Sequence, residues 1–141
     1  MKQFYYDEID STMEEAKRLV SSGLIKETSY VVASAQTSGR GTRGRVWSSP
    51  KDAGIYLSLI HMPEKNKFFE ATTLYTQASG ISCVQALKEY LSIETKIKPI
   101  NDIYYGDKKL GGILVESKMN KEGMSLIVTG LGLNIKRFDH K

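Results

Sequence analysis

Cysteine and long apolar runs are scarce in this 141-residue sequence. The single cysteine, Cys83, excludes an internal disulfide framework, and its place in a helical pattern predicts a small buried apolar residue. No stretch approaches the ~20 apolar residues that span a bilayer, and the N-terminus has no apolar signal core. We therefore expect a cytoplasmic protein that does not contact a membrane.

The excess of positive over negative charge is also small. The formal net charge of +4 is compatible with a nucleotide ligand or an acidic partner, but it is too weak to predict a nucleic-acid binder. The hydrophobic fraction of 40% and the charged fraction of 26% are ordinary for a soluble globular protein. The sequence contains no repeat, low-complexity tract or linker, and its length suits one domain over residues 1–141.

Glycine and arginine are concentrated in one stretch, residues 36–47. Three glycines are interleaved there with three arginines: Gly39, Arg40, Gly41, Arg43, Gly44 and Arg45. Glycines let backbone N–H groups approach a ligand closely, and arginines offer planar charged forks for carboxylate or phosphate oxygens. The stretch predicts an anion-binding loop that can hold a triphosphate, with a mobile solvated loop as the alternative.

The glycine spacing also satisfies the dinucleotide-binding fingerprint, and a predicted strand over 29–35 precedes it. That fingerprint must open a helix, whereas residues 46–50 lead into an alternating strand pattern. The phosphate-loop pattern is excluded as well, because no Gly-Lys-Ser/Thr closes the loop. We therefore reject both nucleotide-binding motifs.

The periodicity predicts two helices among short strands. A capping box at 11–14 begins a helix over 12–22, and a longer helix is predicted over 70–91. The predicted core stripe of the longer helix is Leu74, Ala78, Ile81, Val84, Leu87 and Leu91. Strands are predicted over 5–9, 29–35, 54–61, 95–98, 103–105, 109–117 and 124–135. The combination predicts a mixed α+β fold, with helices backing a largely antiparallel sheet.

Several motifs, in one order along the chain, resemble those of biotin protein ligases (biotin–[acetyl-CoA-carboxylase] ligases). The first is Asp-Ser-Thr at 10–12, and the second is the Gly-Arg-Gly-x-Arg-Gly-Arg-x-Trp loop preceded by Gln36. The others are Lys98-Pro-Ile-Asn-Asp102, Lys108-Lys-Leu-Gly-Gly-Ile-Leu-Val-Glu116 and Gly130-Leu-Gly-Leu-Asn134. The resemblance runs from Tyr6 to Lys136.

The resemblance implies a catalytic domain of the biotin/lipoate protein ligase fold, which is class II synthetase-like. The implied activity is activation of biotin by ATP as biotinyl-5'-AMP, with Mg²⁺, followed by transfer to a lysine of a biotin carboxyl carrier protein. A homodimer is compatible with the family. We expect neither the N-terminal DNA-binding domain of the repressor-type members nor the small C-terminal β-barrel of the family.

The resemblance also implies a role for individual residues. Biotin is assigned to Ser11, Thr12, Gln36, Gly39, Arg40, Lys109 and Gly112. ATP and the adenylate are assigned to Arg40, Gly41, Thr42, Arg43, Gly44, Arg45, Trp47, Lys98, Asn101, Lys109 and Asn134. Catalysis is assigned to Lys109, Arg40 and Asp102, and Asp102 is also the candidate Mg²⁺ ligand. Without the resemblance, the pattern favours a capping role for Ser11 and a turn role for Asn101, and it fits a core role for Trp47 as well as a ligand-binding one.

The sequence departs from the family at a few positions. Pro99-Ile100 replaces Trp-Pro, Thr42 replaces a residue that is often basic, and Met13 replaces an asparagine. One alternative is a lipoate or octanoate ligase of the same fold, although the Arg-Arg-x-Gly-Gly-Gly stretch of those proteins is missing. Another alternative is a non-catalytic biotin- or nucleotide-binding fragment.

Overall fold

The computed structural model describes residues 1–64 and 72–136. In chain order its elements are β1 (Lys2–Ile9), α1 (Thr12–Ser21), β2 (Ser29–Gln36), β3 (Gly54–His61), α2 (Thr72–Leu91), β4 (Lys96–Lys98), β5 (Asp102–Tyr105), β6 (Lys108–Asn120) and β7 (Gly123–Asn134). Every predicted strand is present, with bounds within three residues of the prediction. No helix in the described ranges is long and apolar enough to cross a membrane.

All seven described strands form one sheet, in the order β1-β2-β3-β7-β6-β5-β4. β1 and β2 are parallel and are joined through α1, whereas every other neighbouring pair is antiparallel. The prediction of a mixed α+β fold with a largely antiparallel sheet is confirmed.

The two helices pack on opposite faces of this sheet. Residues of α1 share a core cluster with Leu126 and Val128 of β7, whereas α2 contributes to a cluster with Leu133 of the same strand. Successive residues of a strand point to opposite faces, so even and odd positions of β7 belong to different sides. The α1 side and the α2 side of the sheet are therefore distinct surfaces.

The N-terminus of α1 is capped as predicted, but only half of the capping box forms. Ser11 is the N-cap and its Oγ accepts a hydrogen bond from the Glu14 backbone N–H at 3.4 Å. The Ser11 N–H donates to Asp10 Oδ1 instead of to Glu14. The carboxylate of Glu14 therefore does not bond to the helix cap, and it is free to pair with Lys17 and Arg40.

The predicted core face of α2 is wrong for four of its six residues. Leu74, Ala78, Ile81 and Leu91 are exposed, and only Val84 and Leu87 pack on the sheet. The buried face is Thr76, Gly80, Cys83 and Leu87. A Cβ at Gly80 would lie 3.3 Å from Ile97 Cδ1, so there is little room for a side chain at this position. Residues 70 and 71 of the predicted helix lie outside the described residues.

The prediction for Cys83 is confirmed. It is buried in the cluster between α2 and the sheet, and burial raises the pKa of its thiol to about 11. A thiol with such a pKa stays protonated at neutral pH, in keeping with a packing role.

Candidate active site

One pocket of about 290 Å³ opens on the α1 side of the sheet. Eleven of the residues assigned from the sequence line it: Thr12, Gln36, Arg40, Gly41, Thr42, Arg45, Trp47, Asn101, Lys109, Gly112 and Asn134. Residues from distant parts of the chain meet here because β2, β3, β7 and β6 are neighbours in the sheet. The volume is at the lower end of the range for small-molecule sites.

Six of the assigned residues do not line this pocket: Ser11, Gly39, Arg43, Gly44, Lys98 and Asp102. Lys98 is exposed on β4, where its ammonium lies 5.3 Å from the centre of the Tyr104 ring. Arg43 and Gly44 are exposed at the tip of the loop. Asp102 lies behind the lining residue Lys109 and contacts it directly.

The buried end of the pocket is a cluster of hydroxyl and amide groups. Gln36 Oε1 accepts hydrogen bonds from the backbone N–H of Thr12 at 2.8 Å and from its hydroxyl at 3.1 Å. Gln36 Nε2 donates to Ser49 Oγ at 2.8 Å. Thr12 Oγ1 also lies 2.8 Å from Ser58 Oγ, which is fully buried. These bonds fix the directions of the amide and the hydroxyl before any ligand arrives.

The glycine–arginine loop is a hairpin-like excursion between β2 and β3. Isolated bridges pair Gln36 with Ser49 and Arg40 with Val46, and the Trp47 N–H donates to the Gly39 carbonyl at 2.8 Å. Its tip is a single 3₁₀ turn, Thr42–Gly44, rather than the start of an α-helix. The rejection of the dinucleotide-binding motif is therefore confirmed. Arg43 has a φ of 56°, in the left-handed region that disfavours branched side chains.

The indole of Trp47 lies over the glycines of β6 and β7. A Cβ at Gly132 would overlap the indole, and one at Gly112 would lie 3.4 Å from its Cζ3. Gly111 faces the other side of the sheet, where a Cβ would collide with Leu133. Close approach therefore explains both glycines of the pair, with Gly112 alone facing the pocket.

Two buried polar atoms in the pocket lack a hydrogen-bond partner in the described part of the chain. These atoms are Trp47 Nε1, which is a donor, and Asn134 Oδ1, which is an acceptor. Buried polar atoms are nearly always satisfied in proteins, so these two are unusual, and both belong to residues that line the pocket.

The side chain of Lys109 lies between a carboxylate and an aromatic ring. Its ammonium is 2.9 Å from Asp102 Oδ1 and 5.5 Å from the centre of the Trp47 ring. Asn101 holds the preceding turn against β6, because its side chain donates to the Ile113 carbonyl at 3.1 Å. A cation held in this way over Gly112 is available to an anion that enters the pocket.

Arg40 pairs with two carboxylates from opposite walls. Its guanidinium contacts Glu14 of α1 at 2.5 Å and Glu116 of β6 at 2.6 Å. Lys17 contacts the same two carboxylates, Glu14 at 3.1 Å and Glu116 at 2.5 Å. The Arg40 guanidinium is therefore engaged by carboxylates on both walls, while the residue also lines the pocket.

These contacts shift the pKa values of the charged groups away from neutrality. The hydrogen bond from Lys17, and then that from Arg40, hold the pKa of Glu14 below its usual value. Burial opposes the charges of Lys17 and Arg40, but hydrogen bonds to Glu116 and Glu14 outweigh it and raise the pKa of both cations. All three groups are charged at neutral pH.

Met13, which departs from the family pattern, belongs to the core cluster under α1 and also lines the pocket. Its side chain is buried and contacts Gly130, where a Cβ would lie 2.6 Å from the sulfur. Packing against α1 therefore explains why the first residue of the 130–134 motif, Gly130, is a glycine.

The described residues contain no group of three or more His, Cys, Asp or Glu side chains that could hold a metal ion. Asp102 is a single carboxylate paired with Lys109. One carboxylate fits Mg²⁺ that is held mainly by nucleotide phosphates and water, which is the usual arrangement for this ion.

Sequence reasoning missed four polar residues that shape the pocket: Glu14, Ser49, Ser58 and Glu116. Ser58 had a recognisable signal, since it occupies an inward position of the apolar strand β3. Glu116 is the last residue of the 108–116 motif, and no pattern in the sequence connects it with Arg40, which lies 76 positions earlier.

Comparison with known proteins gives a family match over residues 5–134, to the biotin/lipoate A/B protein ligase family. Over 133 residues the chain is 34% identical to the bifunctional ligase/repressor BirA of Bacillus subtilis. That alignment takes in 94% of this chain and 40% of the relative, so the chain spans about two fifths of the curated protein it matches.

Solved ligase structures have the same fold. The biotin protein ligase from Aquifex aeolicus in complex with biotin and ATP matches with a TM-score of 0.79 and 30% identity, over 99% of this chain and 55% of that one. The Leishmania major ligase in complex with biotinyl-5-AMP matches with a TM-score of 0.80 and 28% identity, over 99% of this chain and 60% of that one. Both solved chains are much longer than the chain described.

Proposed function

This chain belongs to the biotin/lipoate A/B protein ligase family, and we propose that it activates biotin with ATP and transfers the biotinyl group to a lysine of a biotin carboxyl carrier protein. The observation that carries the proposal is the content of the pocket on the α1 side: a fixed amide–hydroxyl cluster at one end, and Lys109 beside Trp47. Ligases of the same fold bind biotin with ATP, or biotinyl-5-AMP.

We assign the cyclic urea of biotin to the amide–hydroxyl cluster. A urea both donates and accepts hydrogen bonds, as do the Thr12 hydroxyl and the Gln36 amide. Ser11 orients this end through the helix cap. Gly39 lets the loop pack closely against Trp47 and Ser49, and Gly112 lets the backbone approach the ligand. The apolar side chains of Met13 and Leu114 line the same pocket and suit the hydrocarbon part of biotin.

We assign the reacting groups to the neighbourhood of Lys109. A carboxylate oxygen of biotin attacks the α-phosphorus of ATP, a new P–O bond forms, and pyrophosphate leaves. The ammonium of Lys109 lowers the repulsion between the carboxylate and the phosphate, which is electrostatic catalysis by a positioned charge. Arg43 and Arg45 add positive charge from the loop, and Arg40 joins them if it leaves Glu14 or Glu116.

We assign the adenine to Trp47 and Asn134, because adenine carries acceptor nitrogens and an amino group that match the free indole N–H and the free amide oxygen. Gly41, Thr42 and Gly44 shape the loop around the phosphates, and Lys98 and Asn101 support the far side. Mg²⁺, when bound, neutralises phosphate charge, and Asp102 is its proposed protein contact.

In the second step the amine of the carrier lysine attacks the acyl carbon of the adenylate. An amide bond forms, AMP leaves and the amine loses its proton. Asp102 is the carboxylate that we propose orients the incoming lysine, because it already holds an ammonium group at 2.9 Å.

The experiment that tests this proposal is pyrophosphate–ATP exchange on the purified chain, with biotin, lipoate and octanoate supplied in parallel. Exchange driven by biotin alone supports the proposal, because exchange reports adenylation without the carrier protein. Exchange with only lipoate or octanoate overturns the choice of substrate. Binding of biotin by calorimetry without any exchange identifies a binding fragment that lacks catalytic parts.

A further inference from the structure

Four charged side chains form a closed ring of alternating sign above the pocket. Going round the ring, Arg40 contacts Glu14 at 2.5 Å, Glu14 contacts Lys17 at 3.1 Å, Lys17 contacts Glu116 at 2.5 Å, and Glu116 contacts Arg40 at 2.6 Å. We call this set the charge ring. It joins three separate segments, namely the glycine–arginine loop, the first two turns of α1 and the middle of β6.

The charge ring attaches the outer part of the loop, residues 39–47. The base of the loop is held to the end of β1, because the N–H groups of Thr37 and Ser38 donate to the Ile9 and Asp10 carbonyls at 2.9 and 2.8 Å. The backbone hydrogen bonds of the outer part join its own residues, as from the Gly41 N–H to the Arg45 carbonyl at 2.8 Å. Residues 43–46 are exposed. Arg40 reaches both walls of the pocket, because Glu14 lies on α1 and Glu116 lies two residues beyond the lining residue Leu114 on β6.

Lys17 supplies the second positive charge that balances the two carboxylates around Arg40. Two carboxylates that face one guanidinium would leave a net negative charge in a partly desolvated place. The ammonium of Lys17 bridges the same two carboxylates and brings the formal charge of the ring to zero. Each member is between 26% and 39% exposed, so the ring is screened less than fully exposed ion pairs.

We propose that the charge ring is a clasp that holds the glycine–arginine loop closed over the pocket, and that Glu14, Lys17 and Glu116 are positioning residues which retain the ligand without touching it. The identity of that ligand, biotin and its adenylate, rests on the proposed function. Closure of the loop does not rest on it. In this role Arg40 acts by holding the loop in place.

The same contacts could have a second role, and the two roles predict opposite effects on ligand binding when one carboxylate is removed. If Glu14 and Glu116 instead withhold Arg40 from a ligand anion, removal of one carboxylate would free the guanidinium and strengthen ligand binding. If they form a clasp, the same removal opens the loop and speeds ligand release.

The first arm of the test uses the protein without ligand. Trypsin cleavage after Arg43 and Arg45, followed by mass spectrometry, measures how often the loop opens. We expect cleavage of Glu116→Gln and Lys17→Gln to be roughly three- to tenfold faster than that of the unaltered chain. The matched control is Glu94→Gln, which removes the same charge from an exposed pair with Lys88. Equal cleavage rates in Glu116→Gln and Glu94→Gln, at equal melting temperatures, would overturn the clasp.

The second arm measures biotin release by stopped-flow fluorescence, since Trp47 is the only tryptophan of the chain and lines the pocket. We expect the dissociation rate of Glu116→Gln to rise roughly three- to tenfold, with little change in the association rate. A slower release would show that the carboxylates withhold Arg40. If no variant binds biotin, the proposed function fails, and the cleavage rates still decide whether the clasp exists.

Discussion

The hydroxyl oxygens of Thr12 and Ser58 lie 2.8 Å apart at the buried floor of the pocket, although the two residues are 46 positions apart in the chain. Ser58 has no exposed surface, and its only described side-chain contact of this kind is with Thr12. It therefore acts on a ligand through Thr12, whose hydroxyl it holds in one direction.

Replacing Ser58→Ala should weaken biotin binding about fivefold, because the Thr12 hydroxyl loses one of the partners that orient it. Isothermal titration calorimetry measures this directly. Ser125→Ala is the control, since it removes an exposed hydroxyl that donates to the Lys118 carbonyl outside the pocket. An equal loss of affinity in both variants would contradict a positioning role for Ser58.

Replacing Lys109→Gln should slow biotin-dependent pyrophosphate exchange about a hundredfold, because a positioned charge on a developing phosphate transition state is worth several kcal/mol. Biotin affinity should change much less. The neighbouring Lys108→Gln is the matched control, because Lys108 is exposed and does not line the pocket. If the two variants lose exchange equally, net positive charge rather than the position of Lys109 is responsible.

Gly132→Ala should impair nucleotide binding while it leaves biotin binding within about twofold, because the new Cβ overlaps the Trp47 indole and not the amide–hydroxyl cluster. A shifted tryptophan emission spectrum would report the displaced indole. Gly80→Ala serves as the control, since its Cβ would meet the flexible side-chain ends of Ile97 at 3.3 Å and Ile113 at 3.6 Å, away from the Trp47 indole. Unchanged emission and unchanged ATP affinity in Gly132→Ala would contradict this arrangement.

Acid should remove the contribution of Asp10 to stability. Hydrogen bonds from the Arg18 guanidinium lower the pKa of Asp10 to about 2, against burial, and the Ser11 N–H adds to the effect. A carboxyl whose pKa is lowered on folding stabilises the folded state above its unfolded pKa of about 4, and this stabilisation is lost as the pH falls towards 2. Asp10→Asn should therefore lower the melting temperature at pH 7, and the difference should vanish near pH 2.

The control for that experiment is Asp7→Asn, which removes a carboxylate from an exposed pair with Lys51. Asp7 should contribute little at any pH, because exposed ion pairs are weak. A melting-temperature difference for Asp10→Asn that stays constant from pH 7 to pH 2 would show that its effect is not electrostatic.

The sequence predicted the pocket well where motifs are local. The loop around Arg40, the strand that carries Gly112 and the strand that ends at Asn134 meet as the resemblance implied. It predicted the polar partners poorly. Ser49, Ser58 and Glu116 contact residues that are far away in the chain, so no spacing along the sequence reveals them.

The rotation of α2 was mispredicted for a different reason. Apolar residues occur around most of this helix, so periodicity does not select one face. Gly80 lies on the face that packs, and a Cβ there would be 3.3 Å from Ile97 Cδ1. A search for large apolar residues overlooks such a position.

The two walls of the pocket come from two consecutive parts of the chain. Thr12, Gln36 and Trp47 precede the end of β3 at His61, whereas Asn101, Lys109 and Asn134 follow the start of α2 at Thr72, and the halves meet along the pairing of β3 with β7. Neither half alone has both the amide–hydroxyl cluster and Lys109. Two separately expressed fragments divided between these elements should therefore form the pocket only when something brings them together.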